Sequence, residues 1–183
     1  FKISTFSFFQ TNSAGAEVLY STVKEFAGTS NDKIIFDLYC GTGTITQLLS
    51  ENAKKVIGIE IVEEAVEAAK INTELNGIKN CEFIAGDVLN MVDQLEDKPD
   101  TIILDPPREG INPKAIEKII KTQIIQDSRD VQLAISPYAG KGYTKRDFSE
   151  VTAECMVSIK FCSVDMFPRT YHVETVVLLS KVK

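Results

Sequence analysis

The sequence predicts an α/β protein with a doubly wound, Rossmann-like sheet of about seven strands, in which the last two strands pair antiparallel. Short apolar runs rich in isoleucine and valine alternate with segments of helical period, which is typical of strands buried on both faces of a parallel sheet. The final two strand-like runs are separated by residues 168–170 alone, which leaves no room for a crossover helix.

Each predicted strand is a nearly continuous apolar run. The runs cover residues 33–39, 54–60, 81–87, 100–107, 130–136, 156–167 and 171–182. The predicted helices cover residues 14–28, 44–53, 61–77 and 112–122. The third of these helices has Val62 and Val66 on one stripe and ends at Gly77. Asn112 and Pro113 are typical of an N-cap and a first helical position, so they mark the start of the fourth.

Composition excludes several classes of protein. A chain of 183 residues suits one domain, and no apolar run approaches the roughly 20 residues that span a membrane. The net charge of −6 argues against strong nonspecific binding of nucleic acid by this domain alone. The four cysteines have no CxxC spacing and there is one histidine, so we expect no metal site. Reduced thiols predict a cytoplasmic protein.

Candidate ligand-binding residues follow the ends of four predicted strands. In a doubly wound sheet, ligands bind beyond the carboxyl ends of the strands. The first strand leads into a glycine turn, DLYCGTGT over residues 37–44, where the backbone can approach a ligand closely. The second ends at Glu60, whose carboxylate can accept both hydroxyls of a ribose, and the third and fourth lead to Asp87 and Asp105.

The glycine turn limits the classes of cofactor that the site can bind. No third glycine completes a GxGxxG pattern, and no GxxxxGK[ST] motif is present, so dinucleotides and nucleoside triphosphates are disfavoured. A nucleoside without a pyrophosphate fits better, and S-adenosylmethionine is the candidate cofactor. Glu60 would bind its ribose, and Asp87 would lie near its adenine.

Several segments of the chain resemble those of the RNA 5-methyluridine methyltransferases of the RumA/TrmA type. The matching segments occur in the order of the family and extend from one end of the chain to the other. They are SFFQTN (7–12), DLYCGTGT (37–44), GIE (58–60), NTELNGIKN (72–80), GD (86–87), DPPREG (105–110) and DMFPRTYHVETVVLL (165–179). The family has a methyltransferase sheet with an antiparallel last pair, in agreement with the pattern of strands.

The resemblance implies a role for each matching residue. S-adenosylmethionine would be bound by Gln10, Tyr39, Gly41, Thr44, Glu60, Asp87 and Asp105. Glu174 would be the catalytic base that removes the C5 proton of uridine in ribosomal or transfer RNA. Family members usually carry an N-terminal TRAM domain and a central domain. Since the chain also begins without methionine, we expect residues 1–183 to be the C-terminal catalytic domain of a longer protein.

The sequence departs from the family at the nucleophile. The family uses a cysteine thiolate that adds to C6 of uridine and activates C5. Ser136 matches the family, but Pro137 stands where the cysteine is expected. Three explanations remain open: a variant without C5 chemistry, an altered sequence between Lys121 and Met156, or another cysteine in the role.

Pro137 motivates the alternative function, a cofactor-binding domain that lacks covalent catalysis. A third hypothesis is a methyltransferase that acts on a different atom, with DPPR used as amino-methyltransferases use their related motif. His172 lies beside Glu174 and is either an acid–base group or a structural histidine. We interpret Cys40, within the glycine turn, as a structural residue in the wall of the site.

Overall fold

The computed structural model describes residues 12–28, 30–105, 114, 119, 132–135, 157–164 and 174–181. Side chains in the last three ranges are described only at Cys162 and Val176. Within these residues, no helix is both long enough and apolar enough to cross a membrane.

One sheet organises the described residues. Its strands are β1 (Ile34–Leu38), β2 (Lys55–Glu60), β3 (Cys81–Ala85), β4 (Thr101–Leu104), β5 (Gln132–Ile135), β6 (Val157–Val164) and β7 (Glu174–Lys181). They lie in the order β3-β2-β1-β4-β5-β7-β6. Strands β1 to β4, the four whose side chains are fully described, pair in parallel, and β5 pairs parallel to β4. Strand β7 runs antiparallel to β5 and to β6. The predicted Rossmann-like α/β architecture is confirmed.

Helices cover both faces of the sheet. They are α1 (Ser13–Ala27), α2 (Thr44–Leu49), α3 (Glu63–Leu75) and α4 (Val88–Met91). Helix α2 continues as a 3-10 turn over Ser50–Asn52, and α4 continues as one over Val92–Gln94. The first three helices lie where the apolar period predicts them. Of the predicted helix over residues 112–122, only Lys114 and Ile119 are described, both helical, and the rest lies outside the described residues.

Successive side chains of the central strands point to opposite faces of the sheet, and each face contributes to one apolar cluster. Phe36 and Leu38 on β1 face the side of the sheet that α4 covers, where they pack with Val88. Ile35, the residue before Phe36, faces the other side, which α1 and α2 cover. Because β1 is buried on both faces of the sheet, its sequence is a nearly continuous apolar run, and the sequence therefore predicts this strand well.

The segment NTELNGIKN holds the end of α3 and the next loop against α2. The Asn76 side-chain amide donates to Gln47 Oε1 at 2.8 Å. The Asn80 amide donates to two backbone carbonyls, those of Ser50 (2.8 Å) and Ala53 (2.9 Å). These bonds satisfy carbonyls at the end of the α2 region that the helix itself leaves unpaired. The segment therefore has a structural role in fixing the helix that follows the glycine turn.

Candidate functional site

The predicted cofactor residues that the structure describes gather at one edge of the sheet. The register pairs Leu38 with both Ile59 and Leu104, and it pairs Glu60 with Ala85, so the carboxyl ends of β1 to β4 are level. The predicted residues that lie at these ends or just after them are Tyr39, Gly41, Thr44, Glu60, Asp87 and Asp105. Gln10 lies outside the described residues, and Glu174 begins β7 opposite Val164 with its side chain not described.

The glycine turn after β1 has a constrained backbone. Tyr39 and Cys40 both donate their N–H groups to the Ile59 carbonyl, at 2.9 and 3.1 Å. Tyr39 has φ +68°, and among the described residues it is the one non-glycine residue with a positive φ. Holding a tyrosine in this left-handed region costs about 1–3 kcal/mol, and such residues concentrate at ligand-binding sites. The turn is therefore held in a shape that local preference alone would not give.

Glu60 holds this turn through its side chain. Its Oε2 accepts a hydrogen bond from the Gly41 N–H and its Oε1 accepts one from the Val62 N–H, each at 3.0 Å. The carboxylate thus joins the turn after β1 to the segment between β2 and α3. Each carboxylate oxygen has two lone pairs, so both oxygens keep capacity for a ligand hydroxyl. The predicted contact with a ribose stays a prediction, and the contact with Gly41 adds a second role.

Replacing Glu60 with glutamine is expected to weaken cofactor binding about tenfold to a hundredfold. The amide nitrogen of glutamine would face either the Gly41 or the Val62 N–H, which removes one charge-assisted hydrogen bond of about 1.5–3 kcal/mol. Calorimetric titration with S-adenosylhomocysteine measures the change. Glu63→Gln, on the exposed first turn of α3, is the matched control and should bind as the unmodified protein does. Equal affinities for the two variants would contradict the role of Glu60.

Asp37 is a site residue that the sequence analysis did not single out. Its side chain is fully buried beneath the turn, and its Oδ2 accepts a hydrogen bond of 2.6 Å from the Thr46 hydroxyl. Burial raises the pKa of Asp37 to about 7, and the nearby carboxylates of Asp105 and Glu60 act in the same direction. The signal in the sequence is an acid inside an otherwise apolar strand, IIFDL.

Two glycines near the turn leave space that larger residues occupy. A Cβ at Gly43 would lie 2.5 Å from Phe83 Cε1, and a Cβ at Gly58 would lie 2.8 Å from Cys40 Sγ and 2.9 Å from Phe83 Cδ1. The Phe83 ring therefore packs against both the turn and β2. Both glycines are required for close packing, and Gly43, at φ +75°, is also required for its backbone conformation.

The described cysteines of this region are poor nucleophiles. Burial, together with the charges of Asp37 and Glu60, raises the pKa of the Cys40 thiol well above its usual range. Burial likewise raises the pKa of Cys81 to about 11. Since the thiolate is the reactive form, these positions agree with a structural interpretation of Cys40.

Asp87 begins α4 and lies beside an apolar surface. Its Oδ1 accepts a hydrogen bond from the Leu89 N–H at 2.7 Å, which makes it the N-cap of this short helix. The side chains of Tyr39, Leu89 and Met91 are partly buried against the cluster below them. An apolar surface with one carboxylate at its edge suits a flat base with an exocyclic amine, as the adenine prediction requires.

Carboxyl groups dominate the charge of the site. Asp105, at the end of β4, is exposed and acts electrostatically on Asp37 and on Tyr20 of α1. Burial raises the pKa of Tyr20, and Asp105 raises it further. Glu60 and Asp105, together with Asp37 in its ionised form, favour a ligand that carries positive charge. The sulfonium and ammonium groups of S-adenosylmethionine meet this requirement. Among the described residues, no three side chains are grouped to hold a metal ion.

The fold and site define a nucleoside-binding α/β domain of the methyltransferase class. A family model described as a methyltransferase domain matches residues 29–164, and the chain belongs to this family. It is similar over 97% of its length to the solved structure of the Pyrococcus abyssi tRNA (uracil-54, C5)-methyltransferase in complex with S-adenosyl-L-homocysteine, with a TM-score of 0.72 and 30% identity. The match covers 41% of that chain.

Two further comparisons bear on the cofactor and on length. The fold is shared with magnesium protoporphyrin IX methyltransferase from Synechocystis, solved with bound SAM, at a TM-score of 0.67 and 19% identity over 97% of this chain and 86% of that one. An uncharacterized RNA methyltransferase of Clostridium acetobutylicum is 54% identical over 99% of this chain, which spans 38% of the length of that relative. The family, and the S-adenosyl-L-homocysteine bound in the Pyrococcus abyssi structure, support S-adenosylmethionine, the predicted cofactor.

Proposed function

We propose that this domain transfers a methyl group from S-adenosylmethionine to C5 of uridine in ribosomal or transfer RNA. The observation that carries the proposal is the 30% identity, along 97% of the chain, with a tRNA (uracil-54, C5)-methyltransferase. The ordered motifs of the RumA/TrmA type support it independently, from SFFQTN to DMFPRTYHVE. Relatives named RNA methyltransferases support RNA as the substrate, so a binding domain without methyl transfer is not favoured.

The proposed cofactor-binding roles fall to residues at the ends of the strands. S-adenosylmethionine, when bound, supplies an electrophilic methyl group on sulfur. Glu60 and the turn around Gly41 would hold the ribose, Asp87 would hold the adenine, and the carboxylate of Asp105 would lie beside the positive end of the cofactor. Gln10, Tyr39 and Thr44 complete the proposed cofactor set.

Removal of the C5 proton is assigned to Glu174. This residue starts β7, which pairs with β5 and β6. A carboxylate acts as a general base when it lies within hydrogen-bond reach of the proton that it takes. A glutamate at this position of the DMFPRTYHVE segment is what the resemblance implies.

The nucleophile is the open part of the proposed mechanism. Cys40 and Cys81 have raised pKa values, and Cys162 packs against the apolar cluster that α1 covers. We therefore propose that these three thiols are structural. Pro137 occupies the position of the family cysteine, so sequencing the gene between Lys121 and Met156 tests whether a cysteine follows Ser136.

The direct test is methyl transfer into RNA. The purified full-length protein is incubated with labelled S-adenosylmethionine and unmodified ribosomal and transfer RNA, and the methylated nucleoside is identified by mass. We expect 5-methyluridine, and RNA containing 5-fluorouridine should form a covalent adduct if a cysteine attacks C6. Cys40→Ser should retain both results because that thiol is half-buried and its raised pKa keeps it protonated. Methyl groups found only on another base would contradict the proposed target atom.

A further inference from the structure

Only one of the two oxygens of the Asp37 carboxyl has a hydrogen-bond partner among the described residues. Oδ2 accepts the hydrogen bond from the Thr46 hydroxyl at 2.6 Å. Oδ1 is buried from solvent and has no hydrogen-bond partner among the described residues. A buried carboxyl oxygen without a donor is costly when the group is ionised, and much less costly when the group carries a proton. The geometry therefore favours a protonated Asp37 in the absence of a ligand.

The groups that act on Asp37 come from several elements and carry no positive charge. Glu60 lies at the end of β2 and Asp105 at the end of β4, and both raise the pKa of Asp37. The Cys40 and Cys81 thiols, on the turn and on β3, interact with it as neutral groups. Thr46 on α2 is the one group that favours the charged form, through its hydroxyl and its backbone N–H. With burial as the largest cause, the pKa of Asp37 is about 7.

We propose that Asp37 is a proton-linked binding residue, which releases its proton to solvent when the positively charged methyl donor binds. The O–H bond of the carboxyl breaks, the electron pair stays on Asp37, and the proton goes to the buffer. The resulting carboxylate compensates part of the positive charge that the donor brings to the site. Affinity for the donor therefore depends on pH near neutrality. The inference rests on the cofactor and not on the RNA target, so it stands apart from the choice of uridine.

The charge of the ligand sets how much of the proton is released. S-adenosylmethionine carries a sulfonium and an ammonium group beside one carboxylate, S-adenosylhomocysteine keeps the ammonium and the carboxylate, and 5′-methylthioadenosine has none of these charges. If the positive charge is the cause, proton release falls in that order. Binding of 5′-methylthioadenosine should release almost none, although it offers the same adenine and ribose.

Calorimetric titration measures the released proton directly. S-adenosylmethionine is titrated into the purified protein at pH 6.5 in buffers of different ionisation enthalpy, and the dependence of the observed heat on the buffer gives the number of protons released. If the donor binds only the protein with an ionised Asp37, whose pKa is about 7, its affinity should be roughly eightfold tighter at pH 7.5 than at pH 6. Asp37→Asn, which mimics the protonated carboxyl, should release no proton and show a flat pH dependence.

Two variants separate this role from a merely structural one. Glu60→Gln removes a carboxylate that raises the pKa of Asp37, so the pH dependence should move to lower pH even where the affinity falls. Glu63→Gln, exposed on α3, should keep the profile of the unmodified protein. The proposal fails if the unmodified protein binds S-adenosylmethionine without proton exchange and with constant affinity from pH 6 to 7.5. It also fails if binding of 5′-methylthioadenosine releases as many protons as binding of S-adenosylmethionine. Both measurements use the unmodified protein, so they do not depend on whether Asp37→Asn folds.

Discussion

Gly43→Ala is expected to lower the free energy of unfolding by about 2–5 kcal/mol. Gly43 has φ +75°, where an L side chain costs about 1–2 kcal/mol. The added Cβ would lie 2.5 Å from Phe83 Cε1, 2.7 Å from Phe83 Cζ and 3.0 Å from the Ala69 Cβ. Overpacking of this kind costs a further 1–3 kcal/mol or so, because the ring has to move within a buried cluster. Equilibrium unfolding in urea measures the change.

Gly77→Ala is the matched control for this prediction. Gly77 also has a positive φ, +67°, but a Cβ there meets nothing within 4 Å. The control should therefore lose only the backbone cost, about 1–2 kcal/mol. The difference between the two variants isolates the packing against Phe83. Equal losses would mean that the ring gives way freely, contrary to the close packing described above.

The contribution of Asp37 to stability is expected to fall as pH rises from about 4 to about 7. The pKa of Asp37 is about 7 in the folded protein and 3.8 for an ordinary aspartate, so the folded state binds more protons between these values. Stability contributed by this group is complete below about pH 4, decreases through pH 7, and is constant above that. At about 1.4 kcal/mol per unit, the full loss is about 4 kcal/mol.

Asp37→Asn removes this ionisable group, so unfolding curves of the two proteins from pH 4 to 8 isolate its effect. The stability advantage of the unmodified protein over the variant should shrink by about 4 kcal/mol as pH rises from 4 to 7. Thr46→Val removes the hydroxyl that favours the charged form, so in that variant the loss should continue to higher pH. Parallel curves for the unmodified protein and Asp37→Asn would show that Asp37 does not titrate in this range.

The fold was predictable because its signals are local. Strands β1, β2 and β4 are short apolar runs, and α1 is preceded by Asn12, whose side chain accepts a hydrogen bond from the Gly15 N–H as an N-cap should. Helix α4 was missed because four residues cannot show a helical period. Its start was visible only as the turn at Asp87, which the sequence analysis had assigned to the cofactor.

The sequence predicts which strand ends carry the candidate site residues, but it does not predict the contacts between them. The residues that follow strand ends could be named because parallel strands align their carboxyl ends. The hydrogen bond from Gly41 to Glu60 depends on the register between β1 and β2, which a single sequence does not encode locally. Asp37 was overlooked for a similar reason, since its burial depends on neighbouring strands and on α2. The proposed roles of the seven cofactor residues and of Glu174 remain predictions.

The position of Phe83 has a consequence for the motions of the glycine turn. A turn with Gly41 and Gly43 would be flexible in isolation, but one aromatic ring from β3 packs against Gly43 and also against Gly58. The rigidity of the cofactor turn is therefore supplied by a residue about forty positions later in the chain. Slow fluctuations of β3 and of the turn should thus be coupled.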